Sequence, residues 1–106
     1  MAIILTIDTS NNKQVSVNLE VDGKKDEIVE DSVILRSEAA LPVVEKILKR
    51  NNLVINQIDE VRVNKGPGSY TGLRVGISIA NALGFLLKIP VNGKKIGDLE
   101  EPVYNE

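Results

Sequence analysis

Four small residues, Gly72, Gly76, Ala80 and Gly84, recur at every fourth position of the apolar segment that runs from 70 to 88. On a helix this spacing lines them up as a stripe with almost no side chain. Each interior glycine costs on the order of 0.5–1 kcal/mol against alanine. Such a stripe persists where a neighbouring backbone packs closely enough to offset that cost. The same spacing joins helices in membranes. On a helical wheel the polar residues Arg74, Ser78, Asn81 and Lys88 share one narrow sector. The remaining apolar arc is about twice the roughly 100° that a helix lying on one sheet needs. The segment is therefore expected to meet a sheet on one side and something else on another, either the first helix or a partner chain.

The rest of the chain supplies that sheet. Residues 2–7 (AIILTI) form a short apolar run, expected to be a strand buried on both faces. Residues 14–20 alternate, with Val15, Val17 and Leu19 on one side, as a half-buried strand does. Asp22-Gly23 marks a hairpin, and the charged run 25–34 reads as an edge strand. Ser37 is the expected N-cap of a first helix that reaches about Asn51, with Leu41, Val44, Ile47 and Leu48 on its apolar face and Pro42 bending its start. Val61 and Val63 mark a fourth strand, Ile89-Pro90 stops the second helix, and Val91 opens a fifth strand. The order β-β-β-α-β-α gives an α/β fold with a mixed sheet and two main helices. That is the topology of one ribonuclease-H-like lobe, the repeated half of the actin-like ATPases. The lobe is expected over residues 1–91, and residues 92–106 form a short polar tail with at most a partial strand.

Composition removes several kinds of chemistry. The 106 residues contain neither cysteine nor histidine. Disulfides, cysteine nucleophiles, histidine bases and nearly every zinc site are thereby excluded. The net charge of −2 lacks the excess of cations that gripping RNA phosphates requires. The apolar stretch 75–91 is interrupted by Ser78, Asn81 and Lys88 and has no aromatic belt, so no membrane span is expected. A cytoplasmic protein without a catalytic residue of its own is the expectation.

Two turns could carry a ligand. Gly66-Pro67-Gly68-Ser69-Tyr70-Thr71-Gly72 leads from a strand into the second helix. Ser69 or Thr71 can cap that helix, and its free N–H groups can hold an anion. A tight turn with a cap explains the same residues. It is not a Walker loop, because the Gly-Lys-Ser/Thr ending is missing. Asp8-Thr9-Ser10 follows the first strand, where an acid either orients a metal-bound nucleotide or simply makes an Asx turn. As a nucleotide site these turns contribute Asp8, Ser10, Gly68, Ser69 and Thr71. As a packing surface the helices contribute Leu41, Val44, Leu48, Gly72, Gly76, Ala80, Leu83 and Gly84. On that second reading Gly76→Leu or Ala80→Leu abolishes pairing while helix content is kept.

Residues 66–76, GPGSYTGLRVG, closely resemble the signature of the TsaB (YeaZ) family, once described as M22 or glycoprotease-like. Ile4–Ser10, Ser37-Glu38 with Leu41-Pro42, and Leu83–Phe85 with Ile89–Val91 match in the right order, so the resemblance covers about residues 3–91. It implies an actin-like ATPase lobe. It also implies a non-catalytic partner of the TsaD enzyme in the making of threonylcarbamoyladenosine on tRNA. Pairing with TsaD through the helices of this lobe, TsaE as a further partner, a homodimer when alone and only indirect contact with tRNA follow from it too. The chain departs from the family in having one lobe, in Arg36 where a histidine is common, in Tyr70 where phenylalanine is usual, and after Pro90. A single lobe cannot close an interlobe cleft, so no cofactor is expected in the isolated chain. ATP or ADP with magnesium would need a dimer interface, the second hypothesis for this chain.

Overall fold

A computed structural model describes residues 2–11, 13–31, 36–68 and 70–103, without the side chains of residues 36–39 and 70. Strands β1 (Ile3–Asp8), β2 (Gln14–Val21) and β3 (Lys24–Asp31) form an antiparallel meander. Helix α1 (Arg36–Arg50) and a short 3₁₀ turn (Ile55–Gln57) lead to β4 (Glu60–Val63), which pairs parallel to β1. Helix α2 (Tyr70–Leu87) follows. The sheet order is β3-β2-β1-β4, a mixed sheet as the sequence implies.

Local chemistry explains the element ends. Asp22 and Gly23 both take positive φ, 51° and 82°, which matches the twist of the flanking strands in a two-residue hairpin. Helix α1 closes with Leu53 N–H donating to Leu48 C=O and Asn52 N–H donating to Lys49 C=O, with Asn52 left-handed at φ 58°. That is a Schellman ending with asparagine in the place glycine usually holds. Helix α2 ends likewise: Ile89 N–H reaches Gly84 C=O, and Lys88 sits at φ 56°. Helix α1 starts at Arg36 and runs on through Pro42, and the expected cap at Ser37 lies outside the described side chains. The approach to the helix, residues 32–35, lies outside the described residues.

The core lies between the sheet and the two helices. Ile3, Leu5 and Ile7 of β1, Val15, Val17 and Leu19 of β2, and Val61 and Val63 of β4 are buried on one face. Ala40, Val43, Val44, Ile47 and Leu48 of α1 and Leu73, Ile77, Ala80 and Leu83 of α2 join the same cluster. Helix α1 packs on β2 and β3, α2 packs on β4 and β1, and the helices touch each other. The first strand is not buried on both faces: Ile4 and Thr6 stay half-exposed on the side opposite the helices. A purely apolar run hides that alternation. The expected edge strand is confirmed at β3, where Ile28 alone is buried. Ion pairs tie this edge to α1: Lys46 to Glu30 at 2.8 Å, and Arg50 to Asp26 at 2.6 Å. The expected fifth strand shrinks to a single bridge between Val61 and Val91. Among the described residues, no helix is long and apolar enough to cross a membrane.

Candidate partner interface

The small-residue stripe of α2 faces its own sheet. Thr9, at the end of β1, is fully buried, and its hydroxyl donates to the Gly72 C=O at 2.6 Å. A Cβ on Gly76 would collide with that same hydroxyl oxygen and come to 3.4 Å from Val63 Cγ2. A Cβ on Gly84 would run into the Val91 side chain. The close neighbour that the glycines call for is therefore the chain itself. Ala80, Leu83, Val44 and Leu48 are likewise buried in the core. Of the eight residues named for packing within the chain or across chains, Leu41 alone lies on the surface, 48% exposed. A leucine at Gly76 or Ala80 would therefore disturb the lobe itself, contrary to the expectation that it would act on pairing alone.

The spare apolar arc is real but lies beside the stripe. Val75, Ile79, Ala82 and Leu86 recur at intervals of four, three and four, which places them on one helix face. Val75 and Ile79 are half-buried and Ala82 is exposed. Leu86 is 72% exposed, and its neighbour Phe85 73%. On α1, Leu41 borders an open apolar groove with Leu53, Val54 and Ile55. Large apolar side chains left in water on both helices mark surface suited to a partner. The signal was present in the sequence as an i, i+4, i+7, i+11 series, but the glycine stripe drew the assignment away from it.

Of the polar residues at the two turns, Asp8 and Ser10 come together with Asn64, and Gly68 packs beside them. Asp8 Oδ1 accepts from Ser10 N–H at 2.9 Å and from the Ser10 hydroxyl at 2.6 Å, and Asp8 Oδ2 accepts from Asn64 Nδ2 at 3.2 Å. Partial burial alone would raise the Asp8 pKa, but these three hydrogen bonds outweigh it and the carboxyl sits below its ordinary value. Asn64 Oδ1 in turn accepts from Gly66 N–H at 3.0 Å. Gly68 packs on Ser10, where a Cβ would come to 2.9 Å from the Ser10 Cβ. The cluster sits at the C-terminal ends of the parallel strands β1 and β4, the end where open α/β sheets bind ligands. Thr71 is exposed in the first turn of α2, and Ser69 lies outside the described residues. These residues do not fit a metal-bound nucleotide unaided. Their single carboxylate is already engaged by Ser10 and Asn64, and among the described residues no three acids gather to hold a metal. The network closes on itself as a brace between the two turns.

Comparison with known proteins agrees with this geometry. The family model described as "TsaD: tRNA N6-adenosine threonylcarbamoyltransferase" matches residues 30–93. The tRNA threonylcarbamoyladenosine biosynthesis protein TsaB of Haemophilus influenzae is 39% identical over 83% of this chain and 37% of its own length. The TsaB of Bacillus subtilis is 31% identical over 96% of this chain and 49% of its own. The solved structure of YeaZ from Pseudomonas aeruginosa superposes with a TM-score of 0.81 at 29% identity, covering 90% of this chain and 44% of that one. The chain thus spans less than half the length of these relatives, and its lobe is the actin-like, ribonuclease-H-like one. With a match over more than half of its residues, the chain belongs to the family of tRNA N6-adenosine threonylcarbamoyltransferase, within which it is similar to TsaB (YeaZ).

Proposed function

We propose that the chain is a non-catalytic partner subunit for a TsaD-like enzyme in the making of threonylcarbamoyladenosine on tRNA, and that it binds through the outer faces of α1 and α2. The observation that carries this reading is the pair of large apolar side chains left in water near the end of α2, Phe85 and Leu86, beside the half-buried Val75 and Ile79, on a helix whose opposite side is already filled. The pathway is the one for which the relatives are named, threonylcarbamoyladenosine biosynthesis on tRNA. The net charge of −2 supports contact with tRNA through the partner rather than directly.

Size-exclusion chromatography with light scattering tests this on the chain alone and mixed with the TsaD-like enzyme of the same organism. A mixed complex supports the reading. A self-dimer that ignores the enzyme supports the homodimer instead. In that assembly the same helices would meet their own copies across a twofold axis.

A further inference from the structure

Strand β4 is the last strand of the sheet, and its outer edge should present unpaired backbone groups. It presents none at Val61 and Val63. Val61 N–H donates to Pro90 C=O at 3.1 Å, and Val61 C=O accepts from Asn92 N–H at 2.9 Å. One step on, the partner is a side chain. Val63 N–H donates to Asn92 Oδ1 at 2.8 Å, and Asn92 Nδ2 donates back to Val63 C=O at 3.1 Å. The carboxamide offers the same donor and acceptor as a peptide unit, so it completes the ladder after the backbone has turned away. Beyond the strand, Lys65 C=O accepts from Val103 N–H at 2.7 Å. Asparagine suits the turning point twice over: Asn92 stands at φ 53°, which it tolerates better than most residues.

The segment is held by Glu100, whose side chain is 3% exposed. Its Oε2 accepts the second Asn92 Nδ2 hydrogen at 2.7 Å, and its Oε1 lies 3.2 Å from Lys94 Nζ and 3.8 Å from Lys65 Nζ. Its backbone is gripped as well: Asn81 of α2 accepts from Glu100 N–H at 2.9 Å and donates to Glu100 C=O at 3.0 Å. A carboxylate this buried, met by two ammonium groups and an amide, fixes the segment at one point. The segment also presses on the turn before α2. Gly66 stands at φ 114°, and a Cβ there would collide with the Val103 carbonyl oxygen.

We infer that residues 92–103 form a clasp that closes the outer edge of β4 as one unit, with the Asn92 carboxamide in place of a strand's peptide group and Glu100 as the anchor. Closed, the clasp bars strand addition at this edge and holds the Gly66–Gly68 turn. Released, it leaves the edge of β4 open to an extended backbone.

Amide hydrogen exchange read by NMR tests this in the full chain carrying Glu100→Ala. Val63 N–H touches Asn92 and not Glu100, so it reports whether the clasp moves as a unit. The expected result is that Val63 and Val103 amides exchange at least about tenfold faster, by similar factors, with Leu5 and Val17 unchanged. Acceleration at Val103 alone, at neither amide, or equally throughout the sheet overturns the inference. If Glu100→Ala does not fold, Glu100→Gln, which keeps the shape and removes the charge, is read by the same criteria.

Discussion

The buried hydroxyl of Thr9 is set between two glycines of α2: it donates to the carbonyl of Gly72 and occupies the space that a side chain on Gly76 would need. The end of β1 is thus locked to the start of the helix that carries the candidate interface.

Alanine normally stabilises a helix interior over glycine by on the order of 0.5–1 kcal/mol. At Gly76 the sign should reverse. Gly76→Ala drives a methyl into the Thr9 hydroxyl and should destabilise by about 1–3 kcal/mol, the range for overpacking a filled core. Thr9→Ala should relieve the collision, so the double variant should lose less than the sum of the single ones. Urea unfolding of the four proteins measures this, and additive losses would show that the two positions do not meet.

Leu86 is 72% exposed and Phe85 73%, so replacing either should spare the fold. Leu86→Asp is expected to change the unfolding free energy by no more than about 0.5 kcal/mol, as for surface sites generally. Thermal unfolding followed by circular dichroism checks it. A loss of several kcal/mol would mean that this face is covered within the chain.

The tie between β3 and α1 should fade in acid. The Arg50 guanidinium, with help from Asn51, lowers the Asp26 pKa from its ordinary 3.8 to about 2. A carboxyl lowered by folding stabilises the fold above its unfolded pKa, and that contribution is lost as pH falls through the folded one. The contribution of this pair is therefore complete above about pH 4 and lost on the way down to about pH 2. Carbon-13 NMR titration should place Asp26 near 2 in the unsubstituted chain and return it toward 3.8 in Arg50→Ala. An unchanged value in that variant would remove Arg50 as the cause.

The brace at Asp8 makes a prediction about ligands. Its carboxylate is already engaged by Ser10 and Asn64, and among the described residues no group of three acids gathers, so the chain alone should give no heat with millimolar ATP or ADP and magnesium. Saturable heat that disappears in Asp8→Asn would restore the nucleotide reading.

What could be read from the sequence was local. Asp22-Gly23 names its own turn type, Val15, Val17 and Leu19 display their shared face, and Ile89-Pro90 follows the helix it was expected to end. What could not be read depends on distant partners. The glycine stripe announces that something packs closely but not that it is Thr9, 63 residues before Gly72. The run of β1 conceals which residues face inward, because Ile4 is as apolar as Ile3. The fifth strand failed at Asn92, whose left-handed backbone turns away while its side chain keeps the pairing. Glu100 looks like one more acid in a polar tail until Lys65, Lys94 and Asn92 are seen around it.

The central claim is that the outer face of α2 binds a TsaD-like enzyme. Titration calorimetry of that enzyme with the unsubstituted chain and with Phe85→Asp/Leu86→Asp tests it most directly. The account predicts saturable binding of the unsubstituted chain and at least about a hundredfold weaker binding of the double variant, with both folded by circular dichroism. Equal binding by the two chains, or none by the unsubstituted one, would contradict it.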